Sequence, residues 1–215
     1  MNDLFTSVAR VFAASFSGYA LVTQMIAIVV TAAMVFSGID WHWYEATRSP
    51  HLLGVVIFAG LSGFLVPVFV PAGLLMFGSL RNDAWYRALG QAILKSEIVA
   101  LLLSAIYKAG TGRLQPNLAN GIDISHAFQF GILKHGIFWG WPSSHTIVAF
   151  AGAVTFALVM HRKWVRVPAI LYACAIGFGA SIGFHWLSDV VAGALMGSAV
   201  AFVAHREAAK AREAT

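Results

Sequence analysis

The sequence predicts an all-α membrane protein, a single bundle of six transmembrane helices. Of its 215 residues, 59% are hydrophobic and only 11% are charged, whereas roughly 25% of the residues in a soluble globular domain are charged. The apolar residues collect in long runs, and the mean hydropathy is +0.76. A helix of about 20 apolar residues crosses a bilayer. Since no long polar stretch separates the runs, we expect one domain over residues 1–215.

Six apolar runs are the predicted transmembrane helices. They cover residues 18–37, 52–80, 89–107, 145–160, 167–184 and 187–204. The first run lacks a small-residue cleavage site followed by a soluble body, so we interpret it as a retained helix rather than a signal peptide. The second run contains Pro67 and Pro71. These prolines predict a kinked helix, with a re-entrant segment as the alternative.

The later runs carry their own boundary signals. The third run ends at Lys108, and the fourth begins after Pro142 and two serines, residue types that favour the start of a helix. The fifth and sixth runs meet at a short junction around His185. Glycines spaced four apart in these two runs favour close helix packing, either within one chain or between two copies, so the oligomeric state stays open. They are Gly179 and Gly183, and Gly193 and Gly197.

The distribution of lysine and arginine predicts how the bundle is oriented. When successive helices alternate in direction, nine of these residues fall on one side of the membrane and four on the other. By the positive-inside rule, both termini then face the cytoplasm. The only long connection, 108–141, lies on the outer face. Its many aromatic residues are typical of a segment that rests at the level of the lipid headgroups.

The composition excludes several other kinds of protein. The net charge of +5 comes from scattered basic residues rather than from one patch, so we expect no nucleic-acid partner. Cys174 is the only cysteine, which excludes a disulfide framework and a zinc site built on thiolates. We interpret it as a small apolar packing residue. The partners expected for such a chain are membrane lipids.

A histidine and an aspartate are spaced four residues apart where the last two helices meet. His185 and Asp189 therefore lie on the same face of a helix. The carboxylate can hold one ring nitrogen and leave the other exposed, as in an oriented nucleophile or base. The alternative is a structural pair that ties helix ends together. Ionisable groups at membrane depth are nevertheless candidates for function.

A second polar cluster is predicted on the same outer face. Ser143, Ser144 and His145 begin the fourth helix, and Lys108 and Arg113 follow the third. Free backbone N–H groups at the start of a helix form an anion site. Cations, a helix N-terminus and two histidines suit a phosphate ester, whose transfer is catalysed mainly by charge stabilisation and positioning. Carboxylates are not clustered at ligand spacing, so we expect no metal and no other cofactor.

These residues resemble the three motifs of the phosphatidic acid phosphatase type 2 family of membrane lipid phosphatases, which is related to vanadium haloperoxidases and bacterial acid phosphatases. The first motif is a lysine, six residues and Arg-Pro, and residues 108–116 are similar to it. The second is Pro-Ser-Gly-His, similar to residues 142–145. The third is Ser-Arg, five residues, His, three residues and Asp, similar to residues 185–189. The match covers residues 108–189, and six helices are also the family's membrane core.

The resemblance implies a role for each residue of the site. His185 attacks phosphorus to form a phosphohistidine, Asp189 orients it, and His145 protonates the leaving alcohol oxygen. Lys108 and the backbone N–H groups at residues 143 and 144 hold the phosphate oxygens. Water then releases inorganic phosphate without a metal.

The sequence departs from the family pattern at both arginines that clamp phosphate. The first arginine position is Gln115, and the second falls on Gly179. Arg113 and Lys134 are the candidate replacements for these cations. Loss of such a clamp commonly costs roughly 10²-fold or more in rate.

The functional prediction is an integral membrane hydrolase that removes phosphate from a lipid phosphomonoester or pyrophosphate on the outer, periplasmic face. We expect it in a bacterial inner membrane, with lipid phosphate as its substrate. One alternative is a phosphotransferase that passes the phosphoryl group to an alcohol. The other is a lipid-binding protein without turnover.

Overall fold

The computed structural model describes residues 2–213, with side chains from 4 to 210. Eight α-helices form this part of the chain, joined by turns and one long loop, with single 3-10 turns at Pro50–Leu52 and Pro116–Leu118. The helices are α1 (Asn2–Ala14), α2 (Gly18–Phe36), α3 (Ile39–Thr47), α4 (Leu53–Leu80), α5 (Ala84–Thr111), α6 (Ser144–Val159), α7 (Lys163–Gly183) and α8 (Leu187–Glu213).

The all-helical membrane fold predicted from the apolar runs is confirmed. Helices α2 and α4 to α8 each overlap one predicted run, four of which extend one residue beyond the helix. Five helical segments within the described residues are long and apolar enough to cross a membrane, whereas α6 is a shorter apolar helix. The count of six transmembrane helices is therefore approximate. Helix α4 is continuous through Pro67 and Pro71, so the alternative of a re-entrant segment is not supported.

Helix α8 lies at the centre of the bundle and α4 at its edge. Helix α8 packs against α6, α2, α5 and α7, and its Met196 and Val200 belong to the main apolar core together with Leu103 and Ile147. In contrast, α4 presents large apolar side chains outward, among them Phe64 with 68% of its surface exposed. An apolar surface of this kind is stable against lipid rather than water.

The two pairs of spaced glycines make the close helix contacts inside one chain. Gly193 and Gly197 face α6, where a Cβ on Gly193 would lie 3.0 Å from the Ser143 carbonyl oxygen. Gly179 and Gly183 face α4 in the same way. Without side chains at these positions the helix backbones approach closely, so packing within the monomer explains both pairs.

Two helices, α1 and α3, lie outside the predicted runs. Helix α1 packs Val8, Val11 and Phe12 against the main core. Helix α3 follows a turn at Gly38, whose φ of 73° is a left-handed conformation that glycine adopts without strain. The turn reverses the chain, and α3 then lies against the ends of α7 and α8.

The predicted functional residues all come to one end of the bundle. The C-terminal ends of α5 and α7, the N-terminal ends of α6 and α8, and helix α3 meet there. The loop that joins α5 to α6 folds back on this end, with backbone hydrogen bonds from Gln129 to Gly112 (3.3 Å) and from Leu133 to Ala109 (2.7 Å). This end of the bundle, with the loop above it, contains the candidate site.

Adding a methyl group at Gly197 should destabilise the fold. In Gly197→Ala the new Cβ overlaps the backbone carbonyl of Ile147, and overpacking of a tight contact costs about 1–3 kcal/mol. Gly73→Ala is the matched control, because a Cβ there meets nothing within 4 Å. Thermal unfolding in detergent should show a lower midpoint for Gly197→Ala than for Gly73→Ala. Equal midpoints would contradict the close α6–α8 packing.

Candidate active site

The predicted pair of His185 and Asp189 is present and buried. His185 lies in the turn between α7 and α8 and is 2% exposed, and Asp189 lies in the first turn of α8. Imidazole Nδ1 is 3.1 Å from Asp189 Oδ2, and the same oxygen accepts the backbone N–H of Trp186 at 3.2 Å. A carboxylate at Nδ1 favours the tautomer with the proton on that nitrogen. Nε2 then carries the free lone pair.

The second histidine shares a pocket with the first. His145, in the first turn of α6, packs against the Phe184 ring with the centroids 5.0 Å apart, and Phe184 packs against His185 at 5.6 Å. Helix α4 leaves room for the His145 ring, because a Cβ on Gly63 would lie 3.0 Å from its Cδ2. The two imidazoles therefore border one space lined by Phe184.

Lys108 is the buried cation of this space. It lies in the last turn of α5 with 1% of its surface exposed. Its Nζ donates one hydrogen bond, to the Phe138 carbonyl at 2.9 Å, and no other protein acceptor of Nζ is found in the described chain. A lysine ammonium has three N–H groups. Two of them remain for an anion.

The start of α6 is tied to the start of α8. Ser143 is the N-cap and accepts the N–H of Thr146, while its own backbone N–H donates to the Asp189 carbonyl at 3.1 Å. The Ser144 hydroxyl is 2.9 Å from that of Ser104. The first N–H groups of a helix have no acceptor within the helix. Of the two predicted backbone donors, Ser144 is therefore open to an anion, whereas Ser143 already has a partner.

Arg113 is fully buried and surrounded by protein acceptors. Its Nε and Nη2 donate to the Ser125 carbonyl at 2.9 and 2.6 Å, and Nη2 also donates to Asp40 at 2.7 Å. Its Nη1 donates to Ser188 Oγ at 2.8 Å and to Asp189 Oδ1 at 2.5 Å. A guanidinium has five N–H groups, and five bonds are made. A phosphate could bind here only if one of them were given up.

Asp40, a residue that our sequence interpretation did not select, completes this network. It lies in the first turn of α3 with 0% exposure. Its carboxylate accepts the backbone N–H and the hydroxyl of Ser188 at 2.8 and 2.5 Å, besides Arg113. A carboxylate between two transmembrane segments could have been flagged by the rule that intramembrane charges are functional candidates. Its partners, however, are far away in the sequence.

The two positions at which the family motifs have arginine are Gly179 and Gln115 in this chain. Gly179 lies against α4, where a Cβ would be 2.8 Å from the Val55 carbonyl oxygen and would overlap Ala59. Gln115 is buried. Lys134 is exposed, and its side chain runs along Gly131 in the loop that joins α5 to α6. The structure thus joins His185, Asp189, His145 and Lys108 into one site but leaves Lys134 at the surface.

An apolar cavity of about 440 Å³ lies beside the site. Helices α2 and α5 and the loop that joins α5 to α6 line it with Val35, Tyr107, Phe128 and Trp141 among others. Tyr107 precedes Lys108, and Phe128 stacks on the Arg113 guanidinium at 4.9 Å. Apolar space next to polar groups is the usual composition of a ligand site.

Burial and neighbouring cations keep His185 neutral. Loss of hydration lowers the pKa of the His185 imidazole from its ordinary value of 6.5, and Lys108 and Arg113 lower it further. The hydrogen bond and the negative charge of Asp189 act in the opposite direction. Because the net change is downward, the ring is neutral at pH 7, and its free nitrogen can act as a nucleophile.

Comparison with known proteins places these residues in a family. The sequence model of the PAP2 superfamily matches residues 89–213, which include every residue of the site except Asp40. An "Undecaprenyl-diphosphatase" from Sulfolobus acidocaldarius is 27% identical over 63% of this chain and 61% of its own length. A "Probable diacylglycerol pyrophosphate phosphatase 1" from Schizosaccharomyces pombe is 31% identical over 66% of this chain and 62% of its own length.

A solved structure has the same fold. It is the crystal structure of a transmembrane PAP2 type phosphatidylglycerolphosphate phosphatase from Bacillus subtilis, with a TM-score of 0.62 and 19% identity. The match covers 88% of this chain and 96% of that chain. The chain spans about three fifths of the length of the two curated relatives it matches.

The His185 imidazole should titrate below pH 6.5. Protonation adds a charge to a buried ring, so the neutral form persists to a lower pH than in an exposed histidine. Histidine NMR of ¹³C-labelled protein in micelles would follow the titration, and the signal is assigned by its loss in His185→Gln. A midpoint at or above 6.5 would contradict this environment.

Proposed function

Because the chain belongs to the PAP2 superfamily, we propose that it is an integral membrane lipid phosphatase that acts through a phosphohistidine. The observation that supports this proposal is the buried pair of His185 and Asp189 beside His145 and Lys108. A nucleophile, a residue that orients it, a proton donor and a cation are the parts that phosphoryl transfer needs.

In the first step, His185 Nε2 attacks phosphorus, and the bond between phosphorus and the leaving oxygen breaks. Asp189, 3.1 Å from Nδ1, stabilises the positive charge that develops on the ring. The negative charge of the bound phosphate favours the protonated form of His145, which donates its proton to the leaving oxygen. The products are a phosphohistidine and either a lipid alcohol or, from a diphosphate, a lipid monophosphate.

In the second step, water attacks the phosphohistidine. His145, neutral after the first step, accepts the proton of the attacking water. The bond between nitrogen and phosphorus breaks, and inorganic phosphate leaves. The residues of the site complete both steps without a metal.

Phosphate binding is assigned to Lys108 and to the N–H groups at the start of α6. Lys108 Nζ has one protein acceptor, and the Ser144 N–H lies in the first turn of the helix. Both donors suit a phosphate oxygen at a helix N-terminus. Arg113, Lys134 and the Ser143 N–H stay predicted ligands, although the partners of Arg113 and Ser143 favour structural roles.

We favour a lipid diphosphate as substrate, with a phosphomonoester as the second choice. The names of both curated relatives describe enzymes of lipid diphosphates, and the apolar cavity beside Lys108 offers space for a hydrocarbon chain. The charge distribution favours cytoplasmic termini and a site on the periplasmic face of a bacterial inner membrane. Transfer to an alcohol and lipid binding without turnover remain the alternatives.

Replacing the nucleophile should abolish turnover. His185→Ala removes the atom that forms the covalent intermediate, so release of inorganic phosphate should fall at least about 10³-fold. The assay uses purified protein in detergent with lipid diphosphates and monophosphates, without added metal and with a chelator. His51→Ala, an exposed histidine on a different turn, is the control. Full release by His185→Ala would refute the mechanism, and a new phospholipid instead of free phosphate would identify a transferase.

The lysine in the site should matter more than the one in the loop. Lys108→Ala removes the buried cation next to the phosphate, so kcat/KM should fall about 10²-fold. Lys134→Ala changes an exposed side chain and should lower kcat/KM by less than about threefold, since exposed charges contribute little. Steady-state rates of the two variants provide the comparison. An equal loss from Lys134→Ala would instead place that lysine at the phosphate.

A further inference from the structure

We infer that Asp40 is a positioning residue for the nucleophile and acts on His185 through Arg113 and Asp189. This inference rests on the proposed function, because it concerns the same histidine. It also assigns Arg113 to the support of the nucleophile rather than to the substrate.

An unbroken line of charged contacts joins Asp40 to His185. Asp40 Oδ2 accepts from Arg113 Nη2 at 2.7 Å, Arg113 Nη1 donates to Asp189 Oδ1 at 2.5 Å, and Asp189 Oδ2 is 3.1 Å from His185 Nδ1. All four side chains are at most 3% exposed. Hydrogen bonds between charged groups are shorter and stronger than neutral ones.

Ser188 provides a second connection between Asp40 and the helix that carries Asp189. Its backbone N–H and its hydroxyl both donate to Asp40, and its hydroxyl also accepts from Arg113. Since Ser188 precedes Asp189 in α8, helix α3 is held directly against the turn that carries the nucleophile. A change at Asp40 therefore reaches His185 through two routes.

The order of charges in this line preserves the interaction between the Asp189 carboxylate and the His185 imidazole. If Asp189 were the only carboxylate next to Arg113, the guanidinium would compete with the imidazole for its negative charge. Asp40 takes the other side of the guanidinium and so shares that positive charge. Asp189 then remains available to stabilise the imidazolium that forms during attack.

The rings around Arg113 keep water away from it. Its guanidinium lies 4.9 Å from the Phe128 ring centroid and 5.7 Å from that of Trp186. Charges in a water-poor site interact more strongly than at a surface. The effect of Asp40 can for this reason extend over two intermediate side chains.

Four charged or titratable groups around His185 affect the pH at which its imidazole titrates. Lys108 approaches from α5, His145 from α6, Asp189 from α8 and Arg113 from the loop after α5. Asp40 adds a negative charge behind Arg113. Removing that charge should move the titration midpoint of His185 to a lower pH, because a nearby negative charge favours the protonated ring.

The test compares Asp40→Asn with Glu45→Gln, which removes an exposed carboxylate from the same helix. Asp40→Asn should lower kcat about 10- to 100-fold while KM for the lipid phosphate changes less than about threefold, because the substrate is not contacted. Glu45→Gln should leave both unchanged. The control separates the position of Asp40 from a general effect of charge on α3.

The His185 titration is the readout that a purely structural role would not move. It is measured by histidine NMR on the intact protein and requires no substrate. The midpoint should fall in Asp40→Asn and stay within about 0.2 pH units of the wild type in Ser188→Ala, which loses contacts but no charge. Ser188→Ala should still lower kcat about 3- to 10-fold. The double variant Asp40→Asn/Arg113→Gln removes both charges. Its loss in kcat should be smaller than the losses of the single variants Asp40→Asn and Arg113→Gln would give together.

The kinetic and titration results together decide whether Asp40 acts on His185. An unchanged midpoint in Asp40→Asn overturns the inference whether or not kcat falls, because a loss of kcat alone is also what a purely structural role predicts. If Asp40→Asn does not fold, Asp40→Glu and Ser188→Ala decide, and full kcat in both overturns it. If the wild-type protein releases no phosphate from any lipid, the proposed function fails. The midpoint in Asp40→Asn still tests the link to His185, and no shift there overturns it.

Discussion

The burial of one guanidinium determines how the end of the bundle that contains the candidate site is built. Arg113 has no exposed surface, and an isolated charge in such a place costs several kcal/mol unless it is paired and hydrogen-bonded. Its partners come from α3, from the loop between α5 and α6, and from α8. Those segments must meet around it. His185, which lies three residues before Ser188 in the chain, is positioned by the same requirement.

The helices were predictable because a bilayer demands long apolar helices, and the apolar runs of this chain are unambiguous. The pair of His185 and Asp189 was predictable as well, because a spacing of four residues brings two side chains together over one helical turn. The contact forms although His185 lies in the turn just before α8. Helix α3 was not, since its nine residues are too few to form an apolar run. Asp40 was missed for a related reason, because its partners Arg113 and Ser188 are 73 and 148 residues away. Spacing within one helix contains no information about such contacts.

Contacts between residues far apart in the sequence also decide what each cation of a motif does. The motif therefore predicts that Lys108 and Arg113 are present, but not which groups they bind. Lys108 and Arg113 lie five residues apart and are both buried. Lys108 lies in the last turn of α5, close enough to His185 to act on its charge, and its Nζ has one protein acceptor. Arg113 follows the left-handed turn at Gly112, whose φ is 49°, and the change of direction carries it towards Asp40 and Asp189. A single turn thus separates a group that can hold substrate from one that holds the protein together.

The contact between Gly179 and α4 has a consequence for the engineering of this chain. A side chain at this position would overlap Ala59 and the backbone of Val55, so an arginine there would require α4 to move away from α7. An arginine at this position therefore needs a compensating change in α4, because the substitution alone overpacks the contact and costs stability. New cationic side chains are more easily accommodated at exposed positions of the loop that joins α5 to α6, such as that of Lys134.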